Sequence, residues 1–157
     1  MKKLLVVVFS LGLLAVASVL LFTNVDSSAA QTKMVVYKSP SCGCCTTWVD
    51  YMVDAGFEVE VHDTDDMNTV KAEHGVTRNV SSCHTALIDG YVLEGHVPAE
   101  DVTRLLVERP AVLGLAVPGM PIGSPGMEQG DPANYDDYDV VTFDGQGRTE
   151  VFRHVTN

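Results

Sequence analysis

The sequence predicts a single α/β domain with the element order β-α-β-α-β-β-α, followed by an ordered loop rich in Pro, Gly and Met and by a C-terminal hairpin. Three observations carry that reading. The β-branched run Met34-Val-Val-Tyr37 leads through the cysteine loop Cys42-Gly-Cys-Cys45 into a stretch with helical spacing. Segments of strand period and helix period then alternate, the pattern of packed α/β units. Finally, Asp89-Gly90 separates two short apolar runs, which is the signal of a tight hairpin.

Met34 to Lys38 reads as the first strand, and Ser39-Pro40-Ser41 breaks it. From Gly43 to Ala55, the residues Trp48, Val49, Met52 and Val53 recur at spacings of one, three and four, so this segment is a helix, with Gly56 at its end. Phe57-Glu-Val-Glu-Val61 alternates apolar and acidic residues and reads as a second strand with one wet face. Asp63 to Asp66 gives a turn and a helix start, Met67 to His74 a short helix, and Gly75 its stop. Thr85 to Asp89 and Tyr91 to Glu94 are the third and fourth strands. Pro98 opens a helix with an apolar face of Val102, Leu105 and Leu106, and Pro110 closes it. Leu115 to Met127 is poor helix and poor strand, yet too apolar for a disordered linker, so it reads as an ordered loop packed back on the domain. Asp131 to Asp137 is acidic and reads as mobile. Tyr138 to Phe143 and Thr149 to Arg153, joined by Asp144-Gly-Gln-Gly147, form a terminal hairpin.

Residues 1–30 have a different character. Lys2 and Lys3 precede a 19-residue apolar run, Leu4 to Phe22, and small residues Ser28-Ala29-Ala30 follow. This is either a secretory signal peptide or an N-terminal membrane anchor, and either one exports residues 31–157 as a single domain. Of 10 basic and 21 acidic residues, Lys2, Lys3 and Asp26 fall in the leader, which leaves 8 and 20 and a net charge of −12. So acidic a domain argues against nucleic acid as a partner, because phosphate is met by Lys and Arg.

Three of the four cysteines, Cys42, Cys44 and Cys45, lie within four residues at a helix start. Unpaired N–H groups and the helix dipole favour thiolate there, the form that attacks disulfides or binds metal. Cys42 and Cys45 form the Cys-x-x-Cys pair of a redox site. Cys44 adds metal-binding capacity and a competing thiol. Thiolates select soft ions, Cu(I) foremost, with zinc as the alternative. Four thiolates on one Zn²⁺ leave a charge of −2, whereas thiolates shared among several Cu(I) ions balance charge. Cys44 and Cys45 point about 100° apart on a helix, which suits a shared or multinuclear centre. The two Cys-x-x-Cys knuckles of a zinc site are absent.

The fourth cysteine, Cys83, is followed by His84. If the first and third strands are neighbours, both lie at the mouth of the sheet beside Cys42. The candidate metal ligands are therefore Cys42, Cys44, Cys45, Cys83, His84 and His96, with His96 equally suited to capping the helix after Pro98. His62, His74 and His154 read as surface residues, and Trp48 and Tyr37 as core. Met120 and Met127 read first as packing residues, although a thioether binds Cu(I).

Four motifs in order resemble one family: Tyr-Lys-Ser-Pro-Ser-Cys-Gly-Cys-Cys, Ser-Cys-His-Thr-Ala, Asp-Gly-Tyr-Val-Leu-Glu-Gly-His-Val-Pro, and Gly-Leu-Ala-Val-Pro-Gly-Met-Pro-Ile-Gly-Ser-Pro-Gly-Met-Glu. It is the small exported metal-binding family that includes the CopG-type copper-resistance proteins of bacteria, and the likeness runs from about Met34 to Phe152. It implies a periplasmic protein with a thioredoxin-like core that holds copper through the cysteines and nearby histidine. It also implies copper redox chemistry, or transfer to other exported copper-handling proteins. Ordinary thioredoxins place a cis-proline before the third strand, facing the Cys-x-x-Cys. Here Cys83-His84-Thr85 stands in that place, and a cis X-Pro bond needs proline. Two other functions remain open from sequence: a thiol–disulfide oxidoreductase using Cys42 and Cys45, and a purely structural disulfide domain. The first reading is a metal-binding protein, with a copper oxidoreductase as its enzymatic alternative.

Overall fold

Met34–Lys38 forms β1, in which Met34, Val36 and Lys38 are buried and alternate with half-buried neighbours, as befits an interior strand of a sheet. The computed structural model describes residues 33–157; the segment read as signal peptide or anchor lies outside the described residues. Among the described residues no helix is long and apolar enough to cross a membrane. After β1 come α1 (Gly43–Asp54), β2 (Val59–Asp63), α2 (Met67–Glu73), β3 (Thr85–Ile88), β4 (Tyr91–Glu94), α3 (Ala99–Glu108), β5 (Gly114–Ala116), a 3₁₀ turn at Pro132–Asn134, β6 (Tyr138–Phe143) and β7 (Thr149–Val155). Up to α3 this is the expected β-α-β-α-β-β-α order of a thioredoxin-like domain.

The seven strands form one sheet in the order β2-β1-β3-β4-β5-β6-β7. β1 pairs with β2 in parallel and with β3 antiparallel, and β4 pairs with β3 antiparallel and with β5 in parallel. One face carries Met34, Val36, Ala86, Ile88 and Leu93, which pack against Trp48 and Met52 of α1 and Val102 and Leu105 of α3. The opposite face carries Val92, Ala116 and Phe143 beneath Val76 and Val80. Burying each of these larger side chains contributes about 2 kcal/mol. Asp89 and Gly90 both adopt positive φ, 49° and 84°, as a two-residue hairpin turn demands. α3 ends in a left-handed Arg109 followed by Pro110. Arg153 of β7 places its Nε 2.8 and 2.9 Å from the two carboxylate oxygens of buried Asp101, tying the terminal hairpin to α3.

Four details depart from the sequence reading. The second strand runs two residues later than Phe57–Val61, because it is set by parallel pairing from Met34↔Val59 to Lys38↔Asp63 and closed by a 2.8 Å Lys38–Asp63 ion pair. β5 overlaps the start of the stretch read as loop. Three residues are too few to show a period, and their strand character comes from neighbours on both sides, β4 and β6. Tyr37 is half-buried rather than core, its ring 5.3 Å from that of His62 and 5.9 Å from that of His74. The acidic stretch 131–137 carries the 3₁₀ turn and is tied to the Pro/Gly/Met loop, where Asp136 N donates to Ile122 O at 2.8 Å.

Candidate metal centre

Sheet topology brings four chain segments to one end. β1 runs out into Cys42. β3 is antiparallel to it, so Cys83-His84 precede β3 at the same end, with Tyr37 opposite Thr85. β4 returns to that end, with Glu94 opposite Thr85, and delivers His96. β5 parallels β4, with Ala116 opposite Glu94, so the segment 117–127 also starts there. The expectation that β1 and β3 are neighbours therefore holds, and all six candidate residues meet.

The ligand atoms form two groups, each with its atoms within 4.8 Å of one another: the sulfurs of Cys42, Cys44, Cys45 and Cys83, and the donors of Cys83, His84 and His96. Cys83 belongs to both. No further group of three or more His, Cys, Asp or Glu donors is so close among the described residues. Cys42 and Cys45 are joined by a disulfide, and Cys44 and Cys83 are free. Cys44 Sγ is 3.5 Å from Cys42 Sγ. Cys45 is fully buried and Cys44 only partly, which agrees with the divergent directions expected of helical neighbours.

Both histidines of the site are fully buried. His96 Nδ1 lies 2.7 Å from Pro125 O. A carbonyl only accepts, so Nδ1 carries the proton and Nε2 is left with a free lone pair facing Cys83 Sγ at 3.0 Å. A backbone carbonyl holding the far nitrogen is the usual way a ligating imidazole is oriented. His84 Nδ1 is 3.3 Å from the same sulfur. Its Nε2 is buried without a hydrogen-bond partner, a cost that metal or ring contact offsets. The His84 ring lies 4.4 Å from that of Trp48 and 5.0 Å from that of His96. Trp48 is itself held by donation from Nε1 to Val97 O at 3.0 Å.

Burial lowers the pKa of His84, reinforced by His96 and Lys71, and burial lowers that of His96. Both are neutral and keep lone pairs for a metal. Burial, with the Cys44 sulfur nearby, pushes the Cys83 thiol up to about 12. Cys83 S–H thus donates to His96 Nε2, and a cation entering between them must displace that proton. The donor set, sulfur and neutral imidazole with little oxygen, fits a soft or borderline ion.

Segment 117–127 acts as a strap. Gly119 N donates to Ser81 O, and Pro125 O holds His96. Gly126 has φ +83°, and a Cβ there would lie 2.8 Å from Trp48 N and 2.9 Å from Cys44 O, in the first turns of α1. Gly126→Ala is expected to cost about 3 kcal/mol, combining left-handed strain with overpacking, and to lower Tm by about 10 °C. It should also weaken metal binding as Pro125 O leaves His96. A thermal unfolding scan checks the first outcome, and an unchanged Tm would refute the close packing. Met120 is exposed and Met127 half-buried. His62 and His154 face solvent, paired with Glu60 and Asp139, and His74 is half-buried.

Sequence reasoning missed the Lys71–Glu94 pair, the Pro125 carbonyl and the Trp48–His84 contact. The first had a visible signal: a glutamate ending an otherwise apolar strand, Tyr91-Val-Leu-Glu94, needs a partner if buried.

The fold and its cysteine–histidine cluster define a thioredoxin-like domain in which potential metal donors gather at and beside the cysteine loop. Two solved structures described as the copper resistance protein CopG, form 1 and form 2, each share 43% identity with the chain. Each match covers 80% of this chain and 98% of theirs, with TM-scores of 0.73 and 0.74. The chain belongs to the CopG copper-resistance family. A family model described as a protein of unknown function, DUF411, matches residues 80–127, the segment from Cys83 through the strap. No curated protein matches.

Proposed function

We propose that this is an exported copper-binding protein of copper homeostasis and resistance that holds Cu(I) through Cys42, Cys44, Cys45, Cys83, His84 and His96. The observation that carries the reading is that Cys83 belongs to both donor groups in a chain 43% identical to CopG. One sulfur common to two groups suits bridging between ions, and hence a multinuclear thiolate centre. The all-sulfur group favours Cu(I), while the group with two imidazoles also accepts Cu(II), which supports interconversion of the two states; transfer to exported copper-handling partners is the alternative use of the same cargo. Zinc is the less favoured cargo. Residues 1–30 serve as signal peptide or membrane anchor and 31–157 as the metal-binding domain in the periplasm; N-terminal sequencing of the exported protein decides between cleavage and retention.

The test is titration of the reduced protein with Cu(I), without oxygen, against a competing chelator. Several equivalents should bind tightly. Trp48 is the only tryptophan and its ring stands 4.4 Å from His84, so its fluorescence should fall in step. Weak binding together with rapid reduction of a model protein disulfide would overturn this reading. That outcome would favour a thiol–disulfide oxidoreductase, which the Cys42–Cys45 disulfide at the start of α1 supports.

A further inference from the structure

We propose that Glu94, paired with Lys71, is a positioning residue that sets Cys83 and His84 for copper; the inference rests on the copper reading above. Glu94 ends β4 with its side chain fully buried. Its Oε1 accepts from Ser82 N at 2.6 Å and from Lys71 Nζ at 2.5 Å. Its Oε2 accepts from Thr85 Oγ1 at 2.7 Å, and Lys71 Nζ also donates to that hydroxyl at 3.2 Å. Ser82 and Thr85 flank Cys83-His84, so a single carboxylate grips both ends of the bend that carries two candidate ligands. Gly95 N donates to His84 O at 3.0 Å and closes the bend from the β4 side. The Ser82 hydroxyl donates to Gly119 O, so the strap over the site hangs on the same bend.

Stability alone does not explain this arrangement. A buried ion pair repays its desolvation only with excellent geometry, and well-packed apolar residues usually serve a sheet as well or better. The proline that fixes this corner in ordinary thioredoxins is missing, and His84 and Cys83 stand in its place. Glu94 supplies the rigidity by hydrogen bonds instead, and Lys71, reaching in from α2, balances its charge. Without the carboxylate, Ser82 N–H and the Thr85 hydroxyl lose their acceptor. The bend can then turn Cys83 away from His96. Residues that orient ligands in this way typically affect metal affinity by about 10–100-fold.

The decisive variant is Glu94→Leu/Lys71→Met, which removes both charges and both acceptor oxygens while leaving apolar side chains of similar size. The control is Asp101→Asn/Arg153→Met, which removes a second ion pair, one with a buried carboxylate, between α3 and β7. Full-length proteins are titrated with Cu(I) against a competing chelator, while Trp48 quenching and thermal unfolding are followed. Both double variants should lose stability. Only the first should lose about 10–100-fold in Cu(I) affinity and show weaker Trp48 quenching, and Lys71→Arg should retain both. Unchanged affinity and quenching in a folded Glu94→Leu/Lys71→Met overturns the proposal, as does an equal loss in the control. If that variant does not fold, Thr85→Val, which deletes one hydroxyl from the ring, takes its place: a several-fold loss of affinity supports the proposal and wild-type affinity overturns it. Failure of the wild-type protein to bind Cu(I) sinks the copper reading and this inference together, whereas wild-type binding with unaffected variants sinks this inference alone.

Discussion

Cys83→Ser should lower Cu(I) affinity by more than about 100-fold, exceeding the usual effect of residues that only orient a ligand. The reason is topological. Cys83 is the one donor common to the four-sulfur group and the sulfur–imidazole group, so its loss leaves Cys42, Cys44 and Cys45 on α1 with no partner from β3, and His84 and His96 with no sulfur between them. Serine keeps the size and a hydroxyl that can still donate to His96 Nε2, but its oxygen is a hard donor that remains protonated. Cys44→Ser touches only the first group and His96→Ala only the second, so each should leave part of the binding intact. The fold should barely register Cys83→Ser: the side chain is half-buried and outside both apolar clusters, so stability should change by less than about 1 kcal/mol. Chelator competition and metal analysis on the three variants, with thermal unfolding as control, check the ranking. Wild-type stoichiometry in Cys83→Ser would remove the bridging role.

The legible half of this site is the half that is local in sequence. Three cysteines at a strand-to-helix junction announce themselves, because both the helical period after Gly43 and the break at Pro40 can be read from a few residues. Cys83-His84 became legible only by supposing that β1 and β3 are neighbours, which the antiparallel pairing bears out. His96 reads from sequence as either ligand or helix cap, because the contact that orients its ring is Pro125 O, 29 residues away, on a segment with no periodic signal. β5 was missed for a related reason: Gly114–Ala116 is strand only because β4 and β6 flank it. Lys71 has the same history. It looks like an ordinary polar residue on a short helix, yet it is buried against Glu94 because α2 crosses the face of the sheet where the Cys83 bend needs a cation.

The oxidation state of Cys42 and Cys45 should control copper binding more strongly than any single substitution other than Cys83→Ser. With the disulfide closed, two of the four sulfurs are bonded to each other, carry no charge and are poor ligands, which leaves Cys44, Cys83, His84 and His96. Reduction by an external dithiol delivers two electrons and two protons, breaks the S–S bond and yields two thiols at the start of α1. Cys42 there precedes the helix with no side-chain cap on the first-turn N–H groups, an environment that favours thiolate. The reduced protein should therefore bind more Cu(I) ions than the oxidised one, and at least about 100-fold more tightly, since loss of partners that only orient a ligand already costs about 10–100-fold. Linkage runs in both directions: a cation that binds only the dithiol form must protect it from oxidation. Thiol counting and metal analysis on protein prepared with and without dithiol measure the first effect, and the rate of disulfide formation with and without Cu(I) measures the second. Equal copper stoichiometry in the two preparations would place Cys42 and Cys45 outside the metal centre and leave their disulfide a structural or redox element in its own right.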